Sequence, residues 1–169
     1  MYKMIVFLGN PGNQYEKTRH NVARLFCSYL NPAGPWQTKF HGEFFKEGET
    51  VWLRPSTFMN ESGLSVRECS AFFGLPADRI LVVHDDIELG FGRVILRTGG
   101  GTGGHNGLRS VKQHLGTDGF VRLRIGVGRP EGPVEVASFV LSRFSEKEET
   151  QLPAVFSQAK EQLRTFTGV

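Results

Sequence analysis

Lys3 to Leu8 is a short apolar run that ends on Gly9-Asn10-Pro11-Gly12, the pattern of a strand entering a tight turn. From about His20 to Leu30 the period changes. Val22, Phe26, Tyr29 and Leu30 fall on one helical face, with Thr18 as the expected cap. Between Trp36 and Arg54 the stretches WQTKF, EFFKE and TVWLR read as two or three short antiparallel strands. The segment PSTFMNESG then reads as a loop, and a helix over roughly 63–73 closes on Gly74 and Pro76. Ile80 to Val83 is unbroken apolar sequence suited to a strand covered on both faces, and it stops at His84-Asp85-Asp86.

The second half repeats the alternation. Arg93 to Arg97 alternates as a strand, Gly107 to Leu115 reads as a helix, and Val121 to Gly126 as a further strand. Near the end, Ser145 and Glu148 have capping-box spacing. Leu152, Phe156, Ala159, Leu163 and Phe166 continue as a helical stripe, with Pro153 placed to kink or restart it. No repeat, low-complexity tract or linker interrupts this order. Alternating strands and helices predict an α/β fold, a single-domain three-layer sandwich over residues 1–169 with a mixed, largely parallel twisted β-sheet flanked by helices.

Composition narrows the class. The chain has 169 residues, 39% hydrophobic and 22% charged, which fits a globular protein with an ordinary core rather than a disordered or membrane chain. The apolar start is too short for a signal peptide or a membrane span. Cys27 and Cys69 lie in helical patterns without metal-ligand spacing and read as buried thiols of a reducing compartment, so a cytoplasmic location is expected. The net charge of +3 is unevenly spread. Arg93 to Arg129 holds seven basic residues and one acid, a surplus of six, which leaves −3 for the remainder. Such a segment suits a polyanion such as RNA, although an unevenly charged, solvated surface gives the same count.

Polar residues that burial does not explain cluster where apolar strands end. The strands ending at Leu8 and Val83 deliver Asn10 and Asp85 to one sheet edge, where open α/β sheets usually bind ligands. His20, at the start of the first helix, falls beside them. An imidazole takes a proton from water near pH 7, and a carboxylate on its other nitrogen fixes the tautomer. His20 and Asp85 therefore read as a base and its orienter, or as a helix cap and a turn cap. No nucleophilic elbow accompanies Ser56 or Ser62, and neither cysteine has a histidine nearby in sequence, which leaves water as the attacking group. No HExxH or similar ligand pair appears, so no metal is expected, and His84 reads as a satisfied or exposed strand-end residue. Asn10, Asn60 and Asn106 can hold a carbonyl or a peptide backbone, or simply build turns. Phe58 and Met59 can pack an apolar substrate part or the core.

Residues 99–104 place five glycines in six positions, ahead of His105-Asn106-Gly107. Each glycine weakens regular structure by roughly 0.5–1 kcal/mol relative to alanine. The loop lacks the GK[ST] of a Walker loop, and Gly9 to Gly12 breaks the dinucleotide pattern. What remains is a backbone able to approach a phosphate, then a helix whose start, with Arg109 and Lys112, favours anions. Such a loop can also move Asn106 over a bound substrate as a lid.

These stretches together resemble a known family. Leu8 to Gly12 with Tyr15 and Thr18-Arg19-His20-Asn21, Thr57 to Asn60 with Ser62-Gly63, His84 to Asp86, Gly99 to Leu108, and Arg122 to Pro130 are similar to bacterial-type peptidyl-tRNA hydrolase, in order and over essentially the whole chain. The resemblance implies a monomeric α/β enzyme, without cofactor or metal, that cleaves the ester joining a peptide to the 3′ end of tRNA. By position it implies His20 as general base, oriented by Asp85. Asn10 and Asn60 hold the peptide end and ester, and Asn106 on the lid positions water or substrate. Met59 and Tyr15 line the pocket, with Phe58 beside them. Arg97 and Arg124 fall at tRNA-contacting positions, to which electrostatics adds Arg109 and Lys112. Ala23, Asp86 and Ile95 depart from common family residues without touching the proposed catalytic ones. A non-catalytic RNA-binding module and a small-molecule hydrolase are the rival expectations.

Overall fold

The computed structural model describes residues 1–168. One seven-stranded sheet organises them: β1 (Lys3–Phe7), β2 (Gln37–Lys39), β3 (Gly42–Glu47), β4 (Thr50–Pro55), β5 (Ile80–Asp86), β6 (Val94–Thr98) and β7 (Val121–Gly126). The spatial order is β2-β3-β4-β1-β5-β7-β6. The four central strands β4, β1, β5 and β7 run parallel, while β2, β3 and β6 add antiparallel edges. The helices are α1 (Val22–Leu30), α2 (Ser62–Phe73), α3 (Asn106–Leu115), α4 (Val136–Val140) and α5 (Glu146–Thr167).

The period-two alternation of β1 divides the core. Ile5 and Phe7 pack with Phe26 of α1 and Phe156 and Leu163 of α5 on one face, while Met4, Val6 and Leu8 pack with Val66 of α2 and Leu108 and Val111 of α3 on the other. Two apolar layers around one sheet produce the expected three-layer sandwich. Strand β7 breaks the symmetry. Val121, Leu123 and Ile125 enter the α1/α5 core, whereas the opposite face carries Arg122 and Arg124, opposite Arg97 and Ile95 of β6. Here the glycine loop, rather than a helix, covers the sheet.

Several local expectations need correction. Thr18 does not cap a helix: its hydroxyl donates to the Tyr15 carbonyl, and a single 3₁₀ turn over Arg19–Asn21 precedes α1. Strand β5 continues past Val83 because His84, Asp85 and Asp86 remain paired with Arg124, Ile125 and Gly126. A 3₁₀ turn, Met59–Glu61, shapes the TFMN loop. Pro153 neither ends nor restarts α5, which is continuous over 22 residues and starts with the anticipated capping box. Tyr29 is 42% exposed rather than in the core, and α4 has no counterpart in the sequence reading.

Candidate active site

Asn10 and Asp85 arrive at the same sheet edge because β1 and β5 are parallel neighbours with Phe7 opposite Val83. His20 is brought to them by the 3₁₀ turn ahead of α1, and Arg19 fixes that turn. Arg19 is 9% exposed. Its guanidinium donates to Ser142 Oγ (2.6 Å), the Arg143 carbonyl (2.7 Å) and Glu148 (3.0 Å). Its Cζ also lies 4.1 Å from the centroid of the Phe139 ring. The residue next to His20 thus holds the segment leading into α5.

His20 Nδ1 lies 3.0 and 2.8 Å from the two Asp85 oxygens. Sequence reasoning missed a second imidazole: His105 Nε2 lies 2.8 Å from Asp85 Oδ1. The tautomer of His105 follows from its other nitrogen. Nδ1 accepts from the backbone N–H groups of Gly107 (3.1 Å) and Leu108 (3.2 Å), so the proton resides on Nε2 and is donated to Asp85. His105 thereby caps α3 with an imidazole in place of the usual Ser, Thr, Asp or Asn. The sequence signal was a histidine directly before a helix start, submerged in the glycine run.

Electrostatics follow from this trio. Burial disfavours the charged form of Asp85, but His105 and His20 outweigh it by charge and hydrogen bonding and hold the carboxyl below the usual carboxylate range. For His20, burial lowers the pKa, while the Asp85 charge and hydrogen bond raise it further than burial depresses it, so the net shift is upward from 6.5. His84, expected to be satisfied or exposed, is buried. Its Nδ1 donates to the Asp85 carbonyl at 2.7 Å and its Nε2 is buried without a partner. Burial, followed by the neighbouring His105, pushes its pKa down to about 4. The donor atoms of His20, Asp85 and His105 lie within 4.8 Å of one another, close enough to share a cation, and the N–H···O bonds between them already account for that spacing.

The cleft above the trio has a volume of about 370 Å³. It brings together His20, Asp85, Asn106, Arg97 and Arg124 beneath the Gly99–Gly104 loop. Arg124 Nε donates to Asp86 (2.8 Å), while Arg97 is exposed. Asn10, Tyr15, Phe58, Met59 and Asn60 lie outside this lining. Asn10 Oδ1 accepts from the Met59 N–H (2.7 Å), and Asn10 exchanges backbone-to-side-chain hydrogen bonds with Asn21. Met59 is buried, and Gly107 abuts it so closely that a Cβ there would come within 2.6 Å of the Met59 sulfur. Phe58 and Asn60 are exposed, and Tyr15 meets Phe58 edge-on at 6.4 Å. Arg109 and Lys112 are exposed on α3. Cys27 and Cys69 are free and buried, and burial pushes their thiols up to about 11 and about 12. Neither is a nucleophile near neutral pH.

The same architecture and sequence occur elsewhere. A peptidyl-tRNA hydrolase from Treponema pallidum is 50% identical over 161 residues, covering 89% of this chain and 80% of the relative. One from Wolinella succinogenes is 46% identical over 168 residues, covering 96% and 86%. The crystal structure of peptidyl-tRNA hydrolase from Acinetobacter baumannii superposes with a TM-score of 0.84 at 35% identity, covering 98% of this chain and 92% of that one. The sequence model described as Peptidyl-tRNA hydrolase matches residues 4–168. With its sheet order, strand-end polar groups and nearly full-length similarity accounted for together, the chain belongs to the peptidyl-tRNA hydrolase family.

Proposed function

We propose that this chain hydrolyses the ester between a peptide, or an N-acylated amino acid, and the 3′ end of tRNA, with water as the attacking nucleophile. The observation that carries the mechanism is the His20 Nδ1 to Asp85 contact of 2.8 Å at the edge of the cleft. Nδ1–H donates to the carboxylate, so the lone pair of Nε2 is free to take a proton from water as water attacks the ester carbonyl. Asp85 holds the ring orientation and stabilises the imidazolium that forms. The proton then passes to the ribose oxygen as the ester bond breaks, giving free peptide and tRNA. General-base assistance of this kind contributes roughly 10²–10⁴-fold. An ester with a ribose leaving group needs no covalent intermediate and no metal to reach a useful rate.

The asparagines divide the remaining work. Asn10 spends its Oδ1 on Met59 and keeps its amide N–H₂ for a carbonyl of the substrate. Asn60, exposed on the adjoining turn, holds the peptide end, with Met59, Tyr15 and Phe58 forming the apolar side. Asn106 opens α3 at the cleft rim and orients water or the developing oxyanion. Exposed Arg97, Arg109 and Lys112 attract the tRNA phosphates, with Arg124 at the cleft adding to them from its pair with Asp86. The chain acts as a single-domain cytoplasmic monomer. Among the described residues no helix is long and apolar enough to cross a membrane.

Peptide release from N-acylated aminoacyl-tRNA by the wild type and His20→Ala tests this reading. Wild type is expected to release the acyl group, with His20→Ala slower by roughly 10²–10⁴-fold. A chain that binds tRNA but releases nothing would be an RNA-binding module on this fold. A second comparison concerns the free α-amino group, whose positive charge would be stranded among neutral amides. Unacylated aminoacyl-tRNA is therefore expected to be cut far more slowly, and equal rates would refute the amide-reading role of the asparagines.

A further inference from the structure

Arg122 is buried at 2% exposure, and the mechanism above gives it nothing to do. Its position on β7 places it between Arg124, two residues on, and Arg97, its cross-strand partner on β6. No carboxylate of the described residues pairs with it. Instead Nη1 donates to the Gly101 carbonyl (2.5 Å), and Nη2 to the carbonyls of Gly100 (2.7 Å) and Asp118 (3.3 Å). Its Cζ lies 4.5 Å from the centroid of the Phe120 ring, and Nε is buried without a partner. Burying a cation without an anion is costly. The planar fork of arginine, matched to two successive carbonyls, is the feature a lysine lacks.

Two of the three carbonyls it grips, those of Gly100 and Gly101, belong to the loop that ends in the site; the third, of Asp118, lies between α3 and β7. Gly100 has φ +110°, and a Cβ there would stand 3.1 Å from Cζ of Arg97, so the loop backbone passes close over both guanidinium groups. Two residues on, the Thr102 carbonyl accepts from the His105 N–H (2.9 Å). His105 then donates to Asp85, which holds His20. A continuous series of bonds runs from Arg122 through the glycine loop to the carboxylate that orients the base.

We propose that Arg122 is a positioning residue, a latch that holds the glycine loop down and thereby keeps His105 on Asp85 and Asn106 over the cleft. Its kinetic consequence rests on the peptide-release reading; its structural consequence does not. With the latch released, His105 leaves Asp85, and the undivided carboxylate pulls harder on the His20 proton. The other charged or titratable groups lining the cleft are His84 and Asp86 of β5, Glu88 beyond it, Arg124 of β7 and Arg97 of β6; of these only Arg97 packs against the loop, at Gly100.

The test compares wild type, Arg122→Lys, His105→Ala and the double variant. Amide hydrogen exchange without substrate is expected to speed up about tenfold or more at Gly99 and His105, the hydrogen-bonded amides of the loop, in Arg122→Lys, with β1 and β5 unaltered. In peptide-release assays kcat is expected to fall about tenfold, and the rising limb of the pH profile to move to higher pH. The double variant is expected to show no pH displacement beyond that of His105→Ala, because both act through one contact. Unaltered loop exchange, or an additive pH displacement, overturns the latch. Should Arg122→Lys fail to fold, Gly100→Ala, which lifts the loop while leaving Arg122 in place, is expected to give the same exchange and pH changes, and their absence overturns the proposal equally. A wild type that releases no peptide defeats the functional reading alone, since the exchange arm still decides the latch.

Discussion

His20 meets Asp85 through Nδ1, and that choice of nitrogen decides what the ring can do. The net upward shift of its pKa means that kcat/KM should rise with pH through a value above the ordinary 6.5. Asp85→Asn removes the charge while burial persists, so the limb is expected to move to lower pH as the rate falls. A pH–rate profile of both proteins checks the sign. His84 makes an opposite demand. Its folded pKa of about 4 lies below the unfolded value of 6.5, so the unfolded chain binds the proton first as pH drops. Its contribution to stability is full above 6.5 and is lost as pH falls from 6.5 through 4. Urea midpoints are expected to decline across that window, with a shallower decline in His84→Gln. Sequence could expose Asp85 as a polar residue where an apolar strand runs out, and His20 as a histidine at the start of the first helix. It could not expose the burial of His84, since the same letter at a strand end serves a solvated residue equally well.

Among the elements, α2 and α3 show how glycine sets geometry. A Cβ on Gly63 would stand 2.1 Å from the Ser110 carbonyl oxygen, and the Gly63 N–H donates to Ser110 Oγ at 2.9 Å. Gly63→Ala is therefore expected to destabilise the protein by about 1–3 kcal/mol, read from urea denaturation. Gly107→Ala acts nearer the chemistry. Its methyl would meet the Met59 sulfur and Leu8, displacing the first turn of α3, so peptide release is expected to suffer more than stability. The boundaries of β1, β7, α2 and α3 were readable because turn residues and periodicity agree there. Strand β5 was cut short in the reading since polarity at His84 resembles a strand end, while the ladder to Arg124 and Ile125 is a tertiary fact. Arg122 was legible only as a basic residue. Nothing local distinguishes a phosphate ligand from a group bonded to loop carbonyls.

Across the whole molecule, only part of the basic segment from Arg93 to Arg129 is free at the surface. Arg97, Arg109 and Lys112 are exposed, whereas Arg124 is tied to Asp86 and Arg122 is buried. The charge count of the segment therefore overstates what reaches a phosphate. Affinity for tRNA is expected to fall linearly on a log–log plot against salt, and Arg97→Ala to reduce the slope by about 1. A salt titration of tRNA binding measures both, and a flat response would remove phosphate contact from the account.

Glu148 serves two structures at once: it completes the box that starts α5 and accepts from Arg19, the neighbour of His20. The start of the last helix and the turn that carries His20 consequently share a fastening. Warming the protein should silence hydrolysis in the same transition that unwinds α5, so that circular dichroism and turnover decay together and no folded but idle hydrolase accumulates between them.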